Sequence, residues 1–244
     1  MARDSFAPAT ARELAGVATA LEAARVFANR EELEAVLRDE PWRVQVTGRG
    51  DVVVLDRWRD HLDVLAIEAL WCAERHIPRL VRELEAVAGS LGLGGLVSPV
   101  VPVEQAHAYQ AAGMRIAEVI VSWALDLRRA AADVRGGAPE GISLRTGTCE
   151  DLPSVLGIDA ASFSWFWRYD KRHLERLTRM QRLVVAEERG TPIGYTLSTV
   201  DRGLGQLGRL CVVPEWRHRG VGRALVSDAI RWADERGAER MVLC

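Results

Sequence analysis

The chain has 244 residues, enough for one large or two small domains, and its 48% hydrophobic and 27% charged content is that of a soluble globular protein. A net charge of −2 argues against a general nucleic-acid binder despite 32 Lys plus Arg, and no 18-residue apolar run predicts a membrane span. Cys72, Cys149, Cys211 and Cys244 lie far apart with no Cys-x-x-Cys pair, and the N-terminus has no apolar run of a signal peptide. The cysteines therefore read as small apolar residues of a cytoplasmic chain without a metal site.

In chain order, the apolar pattern predicts a helix over Ile77 to Leu91, a strand over Leu96 to Val101, a helix over Val103 to Ala112 and a strand over Met114 to Trp123. Trp42, Trp58, Trp71 and Trp123 are expected in core or half-buried positions. Glycines and a proline between Val134 and Gly141 mark a boundary. They divide the chain into residues 1–135, a linker at 136–141 and a second domain at 142–244.

Beyond the linker, Ile142 to Arg145 read as a strand, and Asp151 caps a helix to about Ala161 with Pro153 in its first turn. Arg172 to Met180 form a second helix. Leu183 to Ala186 and Ile193 to Val200 are strands joined by the turn Glu187 to Pro192. A turn at Gly203 to Gly205 opens a strand that ends at Val213. Gly222 to Arg236 form a helix stopped by Gly237, and Met241 to Leu243 start a further strand. The order is β-α-α-β-β-β-α-β, an α/β (α+β) arrangement.

The stretch Arg209 to Val226 is the most informative. An apolar strand stops at Pro214, a basic loop runs Arg217-His218-Arg219-Gly220-Val221-Gly222, and an apolar helical stripe follows. Gly220 and Gly222 let the backbone turn tightly and let an anion approach without an intervening Cβ. Amides at a helix opening have no partner within the helix, and the helix dipole favours an anion there. Arg217, His218, Arg219 and Arg223 add donors, so the loop is expected to cradle a diphosphate. It is not a Gly-x-Gly-x-x-Gly dinucleotide fingerprint, because position 225 is Leu.

Leu210, Val212 and Pro214, followed by Arg217, Gly220 and Gly222, resemble the acetyl-CoA signature of the GNAT acetyltransferase superfamily. The resemblance implies a mixed central sheet flanked by helices. It also implies that Leu210, Cys211 and Val212 pair with the pantetheine arm of acetyl-CoA while Arg217, His218, Arg219, Gly220, Val221, Gly222 and Arg223 hold its diphosphate. The activity implied is transfer of an acetyl group to a primary amine of a small molecule or a protein N-terminus. A non-catalytic acyl-CoA-binding sensor or scaffold is the alternative. Acetyl-CoA and an amine acceptor are the expected partners, with no nucleic acid, membrane or metal.

The first half reads as a degenerate copy. Leu80, Val81, Gly92 and Val97 recur as Leu225, Val226, Gly237 and Val242 at one offset of 145. At that offset Gly222 falls on Ile77, whose side chain is expected to block a phosphate. Tyr109 to Met114 resemble the closing helix and turn of a GNAT domain. The second half stops at Cys244 before such an element, so 142–244 is expected to be an incomplete domain, either a fragment of a longer chain or a truncated domain that borrows its closure from elsewhere.

No residue is assigned as general base or acid. Glu187, Glu188 and Asp201 read as turn residues, and the fifth-strand position used by family members falls near Cys244. Cys211 flanked by Leu and Val reads as an inert thiol, and His173 and His218 lack metal-ligand spacing. Phe163, Trp165, Phe166 and Trp167, in a chain only 6% aromatic, read either as the wall of the acceptor pocket or as rings that pack the two helices on the sheet.

Overall fold

The structure, a computed structural model, describes residues 5–14, 26–27, 29–61, 63–130 and 137–243. Cys244 and the start of the expected linker (134–136) lie outside the described residues. The chain divides into two units, Met1–Val119 and Ile120–Cys244.

The first unit contains β1 (Ala7–Pro8), α1 (Ala11–Leu14), α2 (Arg30–Asp39), β2 (Val44–Val46), β3 (Val52–Arg57), β4 (Val64–Trp71), α3 (Ile77–Ser90), β5 (Gly95–Val97) and α4 (Ala106–Gln110). Its sheet runs β1-β2-β3-β4-β5, antiparallel except for the parallel pair β4–β5. β3 alternates its apolar residues between two layers, as a strand buried on both faces must. Val53 and Leu55 pack with Val81 and Leu84 of α3, whereas Val52 and Val54 pack with Leu33 and Val36 of α2.

The expected strand at Met114 to Trp123 does not form. Residues 115–122 have no regular structure, and Val103 to Ala112 shorten to a 3-10 turn followed by α4. The strand that does form is β6 (Trp123–Asp126), and it belongs to the second unit with α5 (Leu127–Ala130). The division therefore falls well before the expected linker. Its physical reason is the pairing of β6 with the last described strand and the burial of Leu127 in the second core. Trp123 itself is 70% exposed, contrary to its expected half-buried place.

The second unit continues with β7 (Ile142–Thr146), α6 (Leu152–Ser162), α7 (Lys171–Met180), β8 (Arg182–Glu188), β9 (Thr191–Asp201), β10 (Leu204–Val212), α8 (Val221–Glu235) and β11 (Arg240–Leu243). Its sheet order is β6-β11-β10-β9-β8-β7, with only β10–β11 parallel. α8 covers one face through Val221 and Leu225 against Val184, Ala186 and Ile193. α6 and α7 cover the other through Val155, Ile158 and Leu174 against Val185, Tyr195 and Leu197. The edge of β11 is paired antiparallel with β6 from Arg240↔Asp126 to Leu243↔Trp123.

The start of α6 differs in one respect from the sequence reading. Thr148, not Asp151, begins the turn, and the two form a reciprocal capping box. Asp151 also accepts from Arg145 at 2.5 and 2.8 Å, and Arg145 reaches Glu187 at 2.6 Å. Glu187 thus lies within β8 and is tied to β7, rather than being a solvated turn residue.

Two outcomes follow from this packing. A Cβ on Gly194 would lie 2.7 Å from the Cys211 carbonyl and 3.3 Å from Leu225, so Gly194→Ala is expected to destabilise by about 1–3 kcal/mol in denaturant unfolding. The Arg145 hydrogen bonds, foremost among the causes, hold the Asp151 carboxyl at about 2, below its ordinary 3.8. A carboxyl whose folded value is depressed contributes stability above the unfolded value and loses it as pH falls through the folded one. The thermal midpoint should therefore lose less between pH 4 and pH 2 in Asp151→Asn than in the parent.

Candidate functional site

The site is built on β10, which pairs with β11. Their parallel register runs from Leu204↔Arg240 to Leu207↔Leu243, the last described residue, and β10 shifts register against β9 at Leu207/Arg209. The Val213 N–H donates to Ile193 of β9 at 2.9 Å. Backbone groups alternate sides along a strand, so Cys211 also faces β9 and the amides of Leu210 and Val212 face the opposite edge. On that edge the Val212 carbonyl accepts from Arg217 Nε at 3.0 Å. Leu210 and Val212 therefore present main-chain N–H groups beyond the described pairing with β11.

After β10 the chain makes a 3-10 turn at Pro214–Trp216, closed by Trp216 N–H to Val213 O at 3.0 Å. Arg217 to Gly220 then carry it to α8. His218 (φ 60°) and Gly220 (φ 85°) both adopt left-handed backbone, a pattern that gathers successive N–H groups around one concavity. Gly220 is required there, since its φ disfavours a side chain and an added Cβ would meet Pro139 at 3.3 Å.

α8 opens without a side-chain cap and without an acidic residue in its first turn. Its first return bond is Ala224 N–H to Gly220 O at 3.0 Å, which leaves the Val221, Gly222 and Arg223 amides without an intrahelical partner. Arg217, His218, Arg219 and Arg223 are all exposed around this opening, and Arg219 lies over Trp216 at 4.9 Å. The fourteen-residue span from Leu210 to Arg223 is thus one strand, one left-handed loop and one bare helix end. The arrangement offers donors to an anion, with the amides of Leu210 and Val212 turned away from β9.

The aromatic segment Phe163 to Trp167 is joined to this strand by a group that the sequence reading missed. Arg209, only 7% exposed, donates through Nε and Nη2 to Asp159 Oδ2 at 2.9 and 2.6 Å, and through Nη2 to the Trp167 carbonyl at 2.7 Å. The guanidinium lies 3.4 Å from the Phe163 ring centre and 4.2 Å from that of Tyr169. Asp159 is fully buried and also accepts from Tyr195 Oη at 2.5 Å and Tyr169 N–H at 2.9 Å. A signal was present in the sequence: Asp159 follows Ile158 in an apolar helix, and Arg209 alternates inward with Cys211.

This cluster sorts the aromatics. Phe163 and Trp167 are half-buried and bound to Arg209, whereas Trp165 is 56% exposed and packs edge-on against Phe166 at 5.8 Å. Burial, the main cause, pushes the Tyr195 phenol well above its ordinary range, so it stays protonated and engaged with Asp159. Burial also pushes up the Cys211 thiol, which lies 3.5 Å from the Ile158 carbonyl. A nucleophilic cysteine needs the opposite shift. Cys149, by contrast with the buried Cys211, is exposed. Among the described residues no group of three or more His, Cys, Asp or Glu could hold a metal ion.

Residues 151–244 match the acetyltransferase (GNAT) family. The second unit carries a GNAT domain. A tandem GNAT protein from the clavulanic acid biosynthesis pathway is 18% identical, with 98% of this chain and 89% of that one aligned at a TM-score of 0.64. A GCN5-related N-acetyltransferase from Sphaerobacter thermophilus is 20% identical over 100% of this chain and 85% of its own, with a TM-score of 0.56. Both likenesses extend through the first unit and identify the whole arrangement as a tandem GNAT fold. The curated ribosome maturation factor RimM of Klebsiella pneumoniae is 30% identical over 66 residues, and the chain spans 36% of that protein's length.

The two units can be compared around the strand, turn and helix that each contains. Val64 of β4 pairs with Gly95 where Leu204 of β10 pairs with Arg240, so the repeats align at an offset of 140 before the turn, 144 at the helix starts and 145 in the strand that follows the helix. The 3-10 turn Glu74–His76 corresponds to Pro214–Trp216, yet α3 begins at once with Ile77, whereas Arg217 to Gly220 precede α8. The cradle loop is therefore absent from the first unit. Ile77 does not block a site, because its side chain is buried in the core.

Removing the carboxylate of the buried cluster leaves a desolvated guanidinium without its counter-charge. Asp159→Ala is expected to cost about 3–5 kcal/mol in equilibrium unfolding, more than Tyr195→Phe, which removes one donor only.

Proposed function

We propose that the second unit is an acetyl-CoA-dependent N-acetyltransferase, acting in the cytoplasm on a primary amine of a small molecule or a protein N-terminus. The observation that carries this reading is the left-handed loop after β10 leading into the bare N-terminus of α8. Leu210 and Val212 would hold the amide-bearing arm by strand-like hydrogen bonds, and one of their N–H groups would face the thioester oxygen. As the amine adds to the thioester carbon, negative charge develops on that oxygen, and a fixed main-chain donor there lowers the barrier; loss of one such donor in other acyl-transfer enzymes costs about 2.7–4 kcal/mol. The left-handed loop and the Val221, Gly222 and Arg223 amides would bind the diphosphate, with Arg217, His218, Arg219 and Arg223 around it.

The acceptor would enter along Trp165 and Phe166, on the segment that Arg209 fastens to β10. Collapse of the tetrahedral intermediate expels coenzyme A as its thiol once a proton is delivered. The buried Cys211 takes no covalent part. The attacking amine must itself lose a proton, which solvent can carry.

The second reading, a non-catalytic acyl-CoA sensor, is favoured by one observation. Glu187 is bound to Arg145 and Tyr195 to Asp159, so neither is available as a proton carrier. Incubation with acetyl-CoA and a panel of amines separates the two, because the enzyme releases free thiol and the sensor binds without releasing it. For the site itself, Gly220→Trp or Gly222→Trp is expected to weaken acetyl-CoA binding at least tenfold, about 1.4 kcal/mol, by calorimetry. Arg75→Gly in the first unit should leave the affinity unchanged. Unaltered binding in the Gly220 variant would overturn the site.

A further inference from the structure

The opening of α3 in the first unit holds a buried carboxylate. Asp51, at the end of the β2–β3 turn, is 4% exposed. Its Oδ1 lies 3.0 Å from Nδ1 of His76, the N-cap residue of α3. Its Oδ2 accepts from Thr47 Oγ1 at 3.0 Å and lies 3.8 Å from Arg79 Nη2, in the first turn of the helix. Aligning the two helix starts sets Arg79 against Arg223 and Pro78 against Gly222. Proline has no N–H, so the first unit lacks one main-chain donor where the second has a glycine amide. What replaces that donor is a side-chain set gathered on Asp51.

We propose that Asp51 is a built-in anion occupying, at the opening of α3, the position that the coenzyme diphosphate takes at the opening of α8, so that the chain binds coenzyme in one unit only. The comparison rests on the proposed site in the second unit; the occupancy of the first does not. A carboxylate buried this far is stable only with partners, and His76, Thr47 and Arg79 supply them from the two segments it joins. The same contacts close the helix end to an external anion by charge as well as by volume. The missing loop and the internal carboxylate act together: one removes the cradle and the other fills the remaining anion position.

Deleting the carboxylate while keeping His76 and Arg79 should open a small anion site. Calorimetric titration of full-length Asp51→Ser with inorganic phosphate is expected to show one more site per chain than the parent. The double variant Asp51→Ser, Arg79→Met should return to the parental number. A wrong assignment in the second unit would lower the parental number but leave this increment. An Asp51→Ser protein that unfolds as cooperatively as the parent and takes up no additional phosphate would overturn the proposal. Should Asp51→Ser fail to fold in phosphate-free buffer, recovery of its circular dichroism on adding phosphate supports the proposal. No recovery, with Asp51→Glu folding normally, refutes it.

Discussion

Backbone hydrogen bonding constrains everything in the second unit. Each strand amide needs a partner, and β10 pairs along β9 on one side apart from the bulge at Gly208. Beyond that bulge the amides of Leu210 and Val212 point away from β9. The left-handed turn at His218 and Gly220 then aims the chain so that α8 starts with three more unpaired amides. Strand edge and helix end belong to one continuous segment, so a molecule with amides at one end and a diphosphate at the other can engage both.

That opening has to be held in shape, and the Arg209–Asp159 pair does so from the opposite face. Three donors converge on one carboxylate oxygen, while two aromatic rings enclose the guanidinium. A buried ion pair gains little over an apolar packing of the same volume, because both charges lose water. Its value here is positional. It fixes α6, β9, β10 and the aromatic segment relative to one another, so the wall carrying Trp165 is registered to the strand that would hold the thioester.

Much of this was legible in the sequence because it is local. The strand, proline stop, basic glycine loop and apolar helix from Arg209 to Arg236 form where their patterns place them, and the order of elements after Ile142 holds. What was not legible is long-range. Nothing local to Trp123–Asp126 distinguishes a strand closing the first sheet from one covering β11. The single offset of 145 hid the loss of a loop, because helix and strand periodicities survive a deletion in the turn between them. Asp159 and Arg209 are separated along the chain, and only the fold reveals that two charges on inward faces neutralise each other. The carboxylate at Asp51 was invisible for the same reason.

Amide hydrogen exchange of the full chain with and without coenzyme A tests the central claim most directly. The account predicts slowed exchange at Leu210, Val212 and Val221 to Arg223, with Ile77 and Arg79 of the first unit unchanged. Saturating coenzyme that leaves those five amides unprotected, while slowing others, would contradict it.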